Sequence, residues 1–172
     1  MKSFTELAKS RYSVKSFSPQ KVEEAALRKI LEAGHIAPTA KNAQPQRIYV
    51  LRSEEALRKA NELTPCIYGA TTVLMIAYNT EEPYHYPDQP ERDSGAEDCA
   101  IVATHMMLEA EELGIASCWV NRFTPSAAKQ LFQLPENEEP VLLLDLGYPK
   151  DGVKPLPNHE KKRPLEEVVT YL

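Results

Sequence analysis

Two cationic clusters stand near opposite ends of this chain of 172 residues: Arg11-Tyr12-Ser13-Val14-Lys15 and Lys161-Lys162-Arg163. Arg11 and Lys15 share a face if their segment is helical, and Ser13 adds a hydroxyl donor. With an arginine from the tail they would surround a phosphate dianion through charge-assisted hydrogen bonds. The competing reading makes both clusters solvated faces, the ordinary place of charge runs. The stretch Pro38-Thr39-Ala40-Lys41-Asn42-Ala43-Gln44-Pro45 is dense in small and amide side chains. Asn42 and Gln44 both donate and accept, which suits the edge of a heterocycle; a loop satisfying its own backbone is the alternative. A third stretch, Ala116 to Phe123, holds the single tryptophan. Exposed peptide groups at a strand end there would bond a planar ring, while Trp119 also reads as a core aromatic. Cys118 reads as a buried thiol, with no nucleophile-plus-base spacing beside it.

Other chemistries are disfavoured. The formal net charge of −5 argues against nucleic acid or an anionic membrane as the main partner. Three cysteines without a Cys-x-x-Cys spacing suggest reduced thiols in a cytoplasm rather than a disulfide framework or structural zinc. The four histidines show no metal-ligand pattern, and His105 reads as a packed residue. The six glycines form no G-x-G-x-x-G. Gly147 and Gly152 have P-loop spacing, but Val153 and Lys154 follow where Lys and Ser/Thr are required. A bound phosphate would therefore be held largely by side-chain cations. Met1 to Ser10 has no apolar leader region, and the apolar run Val73 to Tyr78 is too short to span a bilayer.

The elements that must position these groups fit one domain, residues 1–172, large enough to bury about 70% of its unfolded surface. Ser3 and Glu6 form a capping box before a short helix. Val22 to Ala33 is helical, with Gly34 as its C-cap. Ile48 to Leu51 is a strand, and Ser53 caps a helix to about Asn61. Thr71 to Tyr78 reads as a central strand, apolar on both faces. Thr80 to Ser94 reads as a long loop, in which Tyr84, His85 and Tyr86 are candidates to line or gate a pocket. Gly95 to Leu113 is the longest helix, apolar on most sides, so a second subunit is expected to cover part of it; Gly114 ends it. Ile115 to Asn121 is a strand, Pro125 to Leu134 a helix with proline first, and Pro140 to Leu146 a last strand. Leu165 to Leu172 is a short acidic and apolar end. The class is α+β with about four strands.

In order and spacing, Arg11 to Phe17, Ala33 to Pro45, Leu113 to Val120, Leu146 to Pro149 and Lys161 to Leu165 resemble the nitroreductase family of FMN-dependent oxidoreductases, over nearly the whole chain. The resemblance implies an α/β/α sandwich with a mostly antiparallel sheet of four to five strands, functional as an intertwined homodimer with FMN at the interface. It implies that Arg11, Ser13 and Lys15, with Arg163 and Lys161, approach the ribityl phosphate, and that Tyr12 belongs to the cofactor site. Pro38 and Thr39 would sit by the ring, Asn42 and Gln44 would come from the other subunit, and Trp119, Val120 and Asn121 would line the flavin. No protein residue is catalytic on this reading, because the cofactor carries the redox chemistry. Hydride would come from NAD(P)H and pass to a nitroaromatic, a quinone or a similar conjugated acceptor, with ping-pong kinetics. Gln46 stands where the family commonly has an aromatic residue, and Lys15 where it has a second arginine. Two other readings stay open: a flavin-binding carrier or sensor without turnover, and a cofactor-free domain that dimerises through its buried helix.

Overall fold

The computed structural model describes residues 3–172; Met1 and Lys2, which begin the stretch read as lacking a leader, lie outside it. The central strand reading sets the architecture. In β2 (Thr72–Asn79), Leu74 and Ile76 enter one core while Val73 and Met75 enter another. Alternation with both faces apolar requires cover on both faces. The four-stranded sheet runs β1-β2-β6-β5, with β1 Gln46–Leu51, β5 Ala116–Val120 and β6 Glu138–Gly147, and every pairing is antiparallel. Helices α2 (Glu24–His35) and α4 (Gly95–Glu112) pack together on one face. On the other lie α3 (Glu54–Leu63), α5 (Pro125–Phe132) and an extended segment carrying Val14 and Phe17. The fold is thus an α/β/α sandwich of the α+β class. No helix among the described residues is long and apolar enough to cross a membrane.

Local signals account for most helix ends. Helix α1 (Phe4–Ser10) starts with the full Ser3–Glu6 capping box. Ser53 accepts from the Ala56 N–H at 3.1 Å to open α3. Val22 and Leu27, both buried, bracket the start of α2 in the manner of a hydrophobic staple. Helix α4 ends in a Schellman pair: Gly114, at φ +72°, donates to Glu111 O at 3.1 Å, and Ile115 donates to Ala110 O at 2.8 Å.

Three expectations are corrected. Gly34 is not a C-cap. It lies inside α2, where a Cβ would stand 2.7 Å from Met106 Cγ, so its role is close approach to α4. Thr80 to Ser94 is not one loop: β3 (His85–Tyr86) and β4 (Gln89–Asp93) form a hairpin turning at Pro87 and Asp88. Arg11 to Lys15 is extended rather than helical. Arg11, Ser13 and Lys15 still share a side, but through the two-residue period of extended chain, while Val14 between them is fully buried.

Candidate functional site

Strand β5 is the open edge of the sheet, and the extended N-terminal segment crosses it. Val14 N–H donates to Ser117 O at 3.0 Å, within a short parallel bridge between Ser13 and Ser117. Peptide groups in a strand point to alternate sides. The Trp119 peptide, two residues on from Ser117, therefore faces the same open edge and is not used by the ladder to β6. A cavity of about 380 Å³ opens here. Arg11, Tyr12, Ser13 and Lys15 form one wall, and Trp119, Val120, Asn121 and Arg122 a second. Cys66, Tyr68 and Cys118 line it too, and the tail returns to it with Leu156, Asn158, His159 and Lys162.

The wall is cationic. Arg11, Lys15, Arg122 and Lys162 converge on it, no carboxylate lines it, and among the described residues none of the four is in an ion pair. Like charges gathered without counterions in an acidic chain repel one another, and a bound anion removes that cost. The tail is placed by contacts of its own: Tyr12 packs edge-on against His159 with centroids 6.0 Å apart, and Lys162 Nζ donates to His159 O at 3.0 Å. Lys15 Nζ lies 5.9 Å from the Tyr68 ring centroid.

Seven of the residues singled out from the sequence thus share one cavity: Arg11, Tyr12, Ser13, Lys15, Trp119, Val120 and Asn121. The Trp119 indole packs against the core on the α2/α4 side and donates to Asn121 Oδ1, while Asn121 Nδ2 donates to Val141 O at 3.1 Å. Lys161 and Arg163 are exposed outside the cavity, and the tail cation inside it is Lys162.

Pro38, Thr39, Asn42 and Gln44 stand elsewhere, in the turn after α2. There Thr39 Oγ1 accepts from Gln44 N–H at 3.1 Å, and Asp98 Oδ1 accepts from Ala40 N–H at 2.8 Å. Lys41, Asn42 and Gln44 all have positive φ, of 54°, 56° and 52°. Three non-glycine residues in the left-handed region within four positions mark a tightly held conformation. The turn adjoins the hairpin, with Lys41 Nζ 5.6 Å from the Tyr84 centroid.

Behind the cavity floor lies a cluster that the sequence reading missed. Asp145 pairs in register with Cys118 and Val73, is fully buried, and has no hydrogen-bond partner on either carboxyl oxygen. Burial first, and then the charge at Cys66, push its carboxyl up to about 9. Holding a proton at pH 7 against an ordinary value near 3.9 costs about 4 kcal/mol. Leaving an unpaired carboxylate in an apolar core costs more, so Asp145 is neutral. One signal was available, since a single acid interrupts the apolar run of β6. Arg122 and Tyr68 carried no such mark, and Lys162 was marked only as part of the tail's cationic cluster.

An antiparallel sheet with helices on both faces and a cationic cavity at its open edge defines the class as an α+β domain with a positively charged site. Its relatives narrow the class. A model of the nitroreductase family matches residues 8–65 and 61–148. An Archaeoglobus fulgidus protein whose name gives both NADH dehydrogenase and NAD(P)H nitroreductase is 30% identical over 152 residues, covering 83% of each chain. A nitroreductase family protein of Clostridium difficile superposes with a TM-score of 0.93 at 37% identity, covering 99% of this chain and 98% of that one. A protein of Exiguobacterium sibiricum, solved in complex with FMN, has the same fold at a TM-score of 0.86 and 18% identity, covering 100% and 98%. The chain belongs to the nitroreductase family, and so to a class of oxidoreductase enzymes.

Proposed function

We propose that this chain is an FMN-dependent oxidoreductase that takes hydride from NAD(P)H and reduces a nitroaromatic, a quinone or a similar conjugated acceptor in the same cleft. The observation that carries the reading is the set of four cations without a counterion along the open edge of β5. The donor set suits FMN on its chemistry: a phosphate dianion needs charge-assisted donors, and the polar edge of a flavin needs peptide N–H and C=O groups. The cavity wall supplies both.

Arg11, Ser13 and Lys15 bind the phosphate, helped by Lys162 and, on the family pattern, by Lys161 and Arg163. Tyr12 holds the returning tail. The Trp119 peptide groups at the open edge, with the wall formed by Val120 and Asn121, orient the ring. Pro38, Thr39, Asn42 and Gln44 lie outside this cavity, and their part requires a second copy of the chain. Exposed apolar side chains support such a homodimer: Ile36 and Ile101 beside α2 and α4, and Leu165, Val168 and Tyr171 in the tail. When bound, FMN supplies the two-electron chemistry that no side chain of this protein offers. With donor and acceptor using one cleft in turn, the kinetics are ping-pong. Three unpaired thiols suit a reducing compartment, and the reading places the enzyme in the cytoplasm.

The test is the absorbance spectrum of the purified protein before and after anaerobic addition of NADH or NADPH. A flavin spectrum that bleaches is the expected result. A flavin that stays oxidised points to a carrier or sensor, and no flavin after FMN is added overturns the reading.

A further inference from the structure

Asp98 sits in the first turn of α4 and is 2% exposed. Burying a carboxyl is costly unless its oxygens are hydrogen-bonded, and here both are. Oδ1 accepts from the Ala40 N–H at 2.8 Å, and Oδ2 accepts from the Ser94 hydroxyl at 2.7 Å. Ser94, also buried, stands at the N-cap position of α4, yet its side chain caps no N–H of that helix. Its hydroxyl instead accepts from the Tyr84 N–H at 3.1 Å, and its own N–H donates to Tyr84 O at 3.0 Å. Tyr84 and Ser94 thereby close the base of the β3–β4 hairpin. Asp93 takes over at the helix start, accepting from the Gly95 N–H at 2.8 Å. On the other side, Ala40 opens the single helical turn Ala40–Asn42, which the Thr39 side chain does not cap. The N–H at the head of that turn is an orphan donor, and Asp98 satisfies it from 58 positions further along the chain. The helix that carries Asp98 is itself held close to the sheet, since a Cβ on Gly95 would run into the Tyr78 ring of β2.

We propose that Asp98 is a positioning residue of the flavin site: its two carboxyl oxygens fasten the Thr39–Gln44 turn to the hairpin, so that Asn42 and Gln44 are presented as one rigid unit with Tyr84. This rests on the proposed function, in which Asn42 and Gln44 reach across a dimer to the cavity of a second copy. The turn needs such a fastening. Lys41, Asn42 and Gln44 all have positive φ, and strained backbone of this kind persists only where its surroundings fix it. With the turn fixed on folding, the cost of ordering it is not charged against flavin binding. The hairpin is carried along: Ser94 holds Tyr84 by its peptide, and the Tyr84 ring lies beside Lys41, whose Nζ is 5.6 Å from the ring centroid. Asp98 touches neither cofactor nor substrate on this reading and acts through the two segments it joins.

The full-length protein as purified is compared with Asp98→Ala by hydrogen–deuterium exchange and peptide mass spectrometry, and FMN affinity is read separately by flavin fluorescence titration. Leaving a buried donor unpaired is worth about a tenfold change in an equilibrium. In the variant, exchange across residues 39–45 is expected to be about tenfold faster or more, while residues 142–147 in β6 keep their rate. FMN affinity is expected to fall about tenfold with it. Asp98→Asn is expected to restore both to within about threefold, because an amide in that place still accepts from Ala40 and donates to the Ser94 hydroxyl. Ser94→Ala removes only the hairpin's side of the fastening and is expected to speed exchange across residues 84–93; it decides the matter if Asp98→Ala does not fold. The proposal is overturned if the turn of a folded Asp98→Ala exchanges at the native rate, or if turn and sheet speed up alike. It is overturned equally by unchanged FMN affinity in a variant whose turn has loosened, or by an unchanged hairpin in Ser94→Ala. An unaltered chain that takes up no FMN overturns the cofactor reading instead, and the exchange rates still decide whether Asp98 fastens the turn to the hairpin.

Discussion

A proton held in the core makes stability depend on pH, and Asp145 sets the sign. Its folded value of about 9 lies above the roughly 3.9 of an unfolded chain. Between those values the native state binds the proton and the unfolded state does not, so stability is greatest below pH 4 for this group. It falls as pH rises, by at most about 1.4 kcal/mol per unit, until the carboxyl ionises near pH 9. Asp145→Asn removes the titration. Denaturant unfolding from pH 5 to 9 is expected to show a falling curve for the native protein and a flatter one for the variant; parallel curves would mean that Asp145 is not the protonated group. The cavity cations give a second expectation. A charge-assisted hydrogen bond is worth about 1.5–3 kcal/mol, so Arg11→Ala or Lys15→Ala weakens FMN binding by roughly tenfold or more, with the unfolding transition little changed. Flavin fluorescence titration measures this. At single residues the sequence was legible where a side chain's type decides its role. Arg11, Ser13 and Lys15 could be grouped from charge and spacing, and the structure brings them to one cavity wall. Cys66 could not be placed beside them, because Tyr68 and Arg122 join it on that cavity wall only through the fold.

Elements were legible where a local signal fixes them. Ser3, Ser53 and Gly114 mark helix ends through bonds to near neighbours, and those ends stand where the chain implies. The β3–β4 hairpin left no such mark: β4 is exposed along most of its length, so no apolar alternation is written into it. Gly34 shows the other kind of miss. Its position near a helix end suggests a cap, but its role is long-range, since the missing side chain makes room for the fully buried Met106. Gly34→Ala forces Met106 to move and is expected to cost about 1–3 kcal/mol through overpacking, despite the better helix propensity of alanine. Combining it with Met106→Ala should recover much of that loss. A double-mutant cycle in urea reads the coupling; additive losses would show that α2 and α4 do not press on each other there.

For the whole molecule, the balance of layers follows from patterning, because a strand apolar on both faces demands two helical layers. What patterning leaves open is how far the fold is completed by a second copy. Helix α4 was read as apolar on most sides, and Ile101 on it is 38% exposed here. The short helix α6 (Leu165–Val168) buries no residue, and every residue from Leu165 to Leu172 is exposed. A terminal segment with Leu165, Val168, Tyr171 and Leu172 all open to water gains nothing from this chain, and contact with a second copy would remove that apolar surface from water. Deleting residues 165–172 therefore separates two roles. The core loses no buried contact, so the truncated chain should fold with its sheet and helices intact by circular dichroism. If the tail docks on a second copy, sedimentation should show a shift toward monomer. On the proposed function, in which Asn42 and Gln44 reach the cavity across a dimer, flavin content should fall with it. Because a ligand at an interface stabilises the assembly by mass action, added FMN should partly restore the dimer. A truncated chain that stays dimeric with full flavin would place the interface elsewhere, on the α2 and α4 face alone.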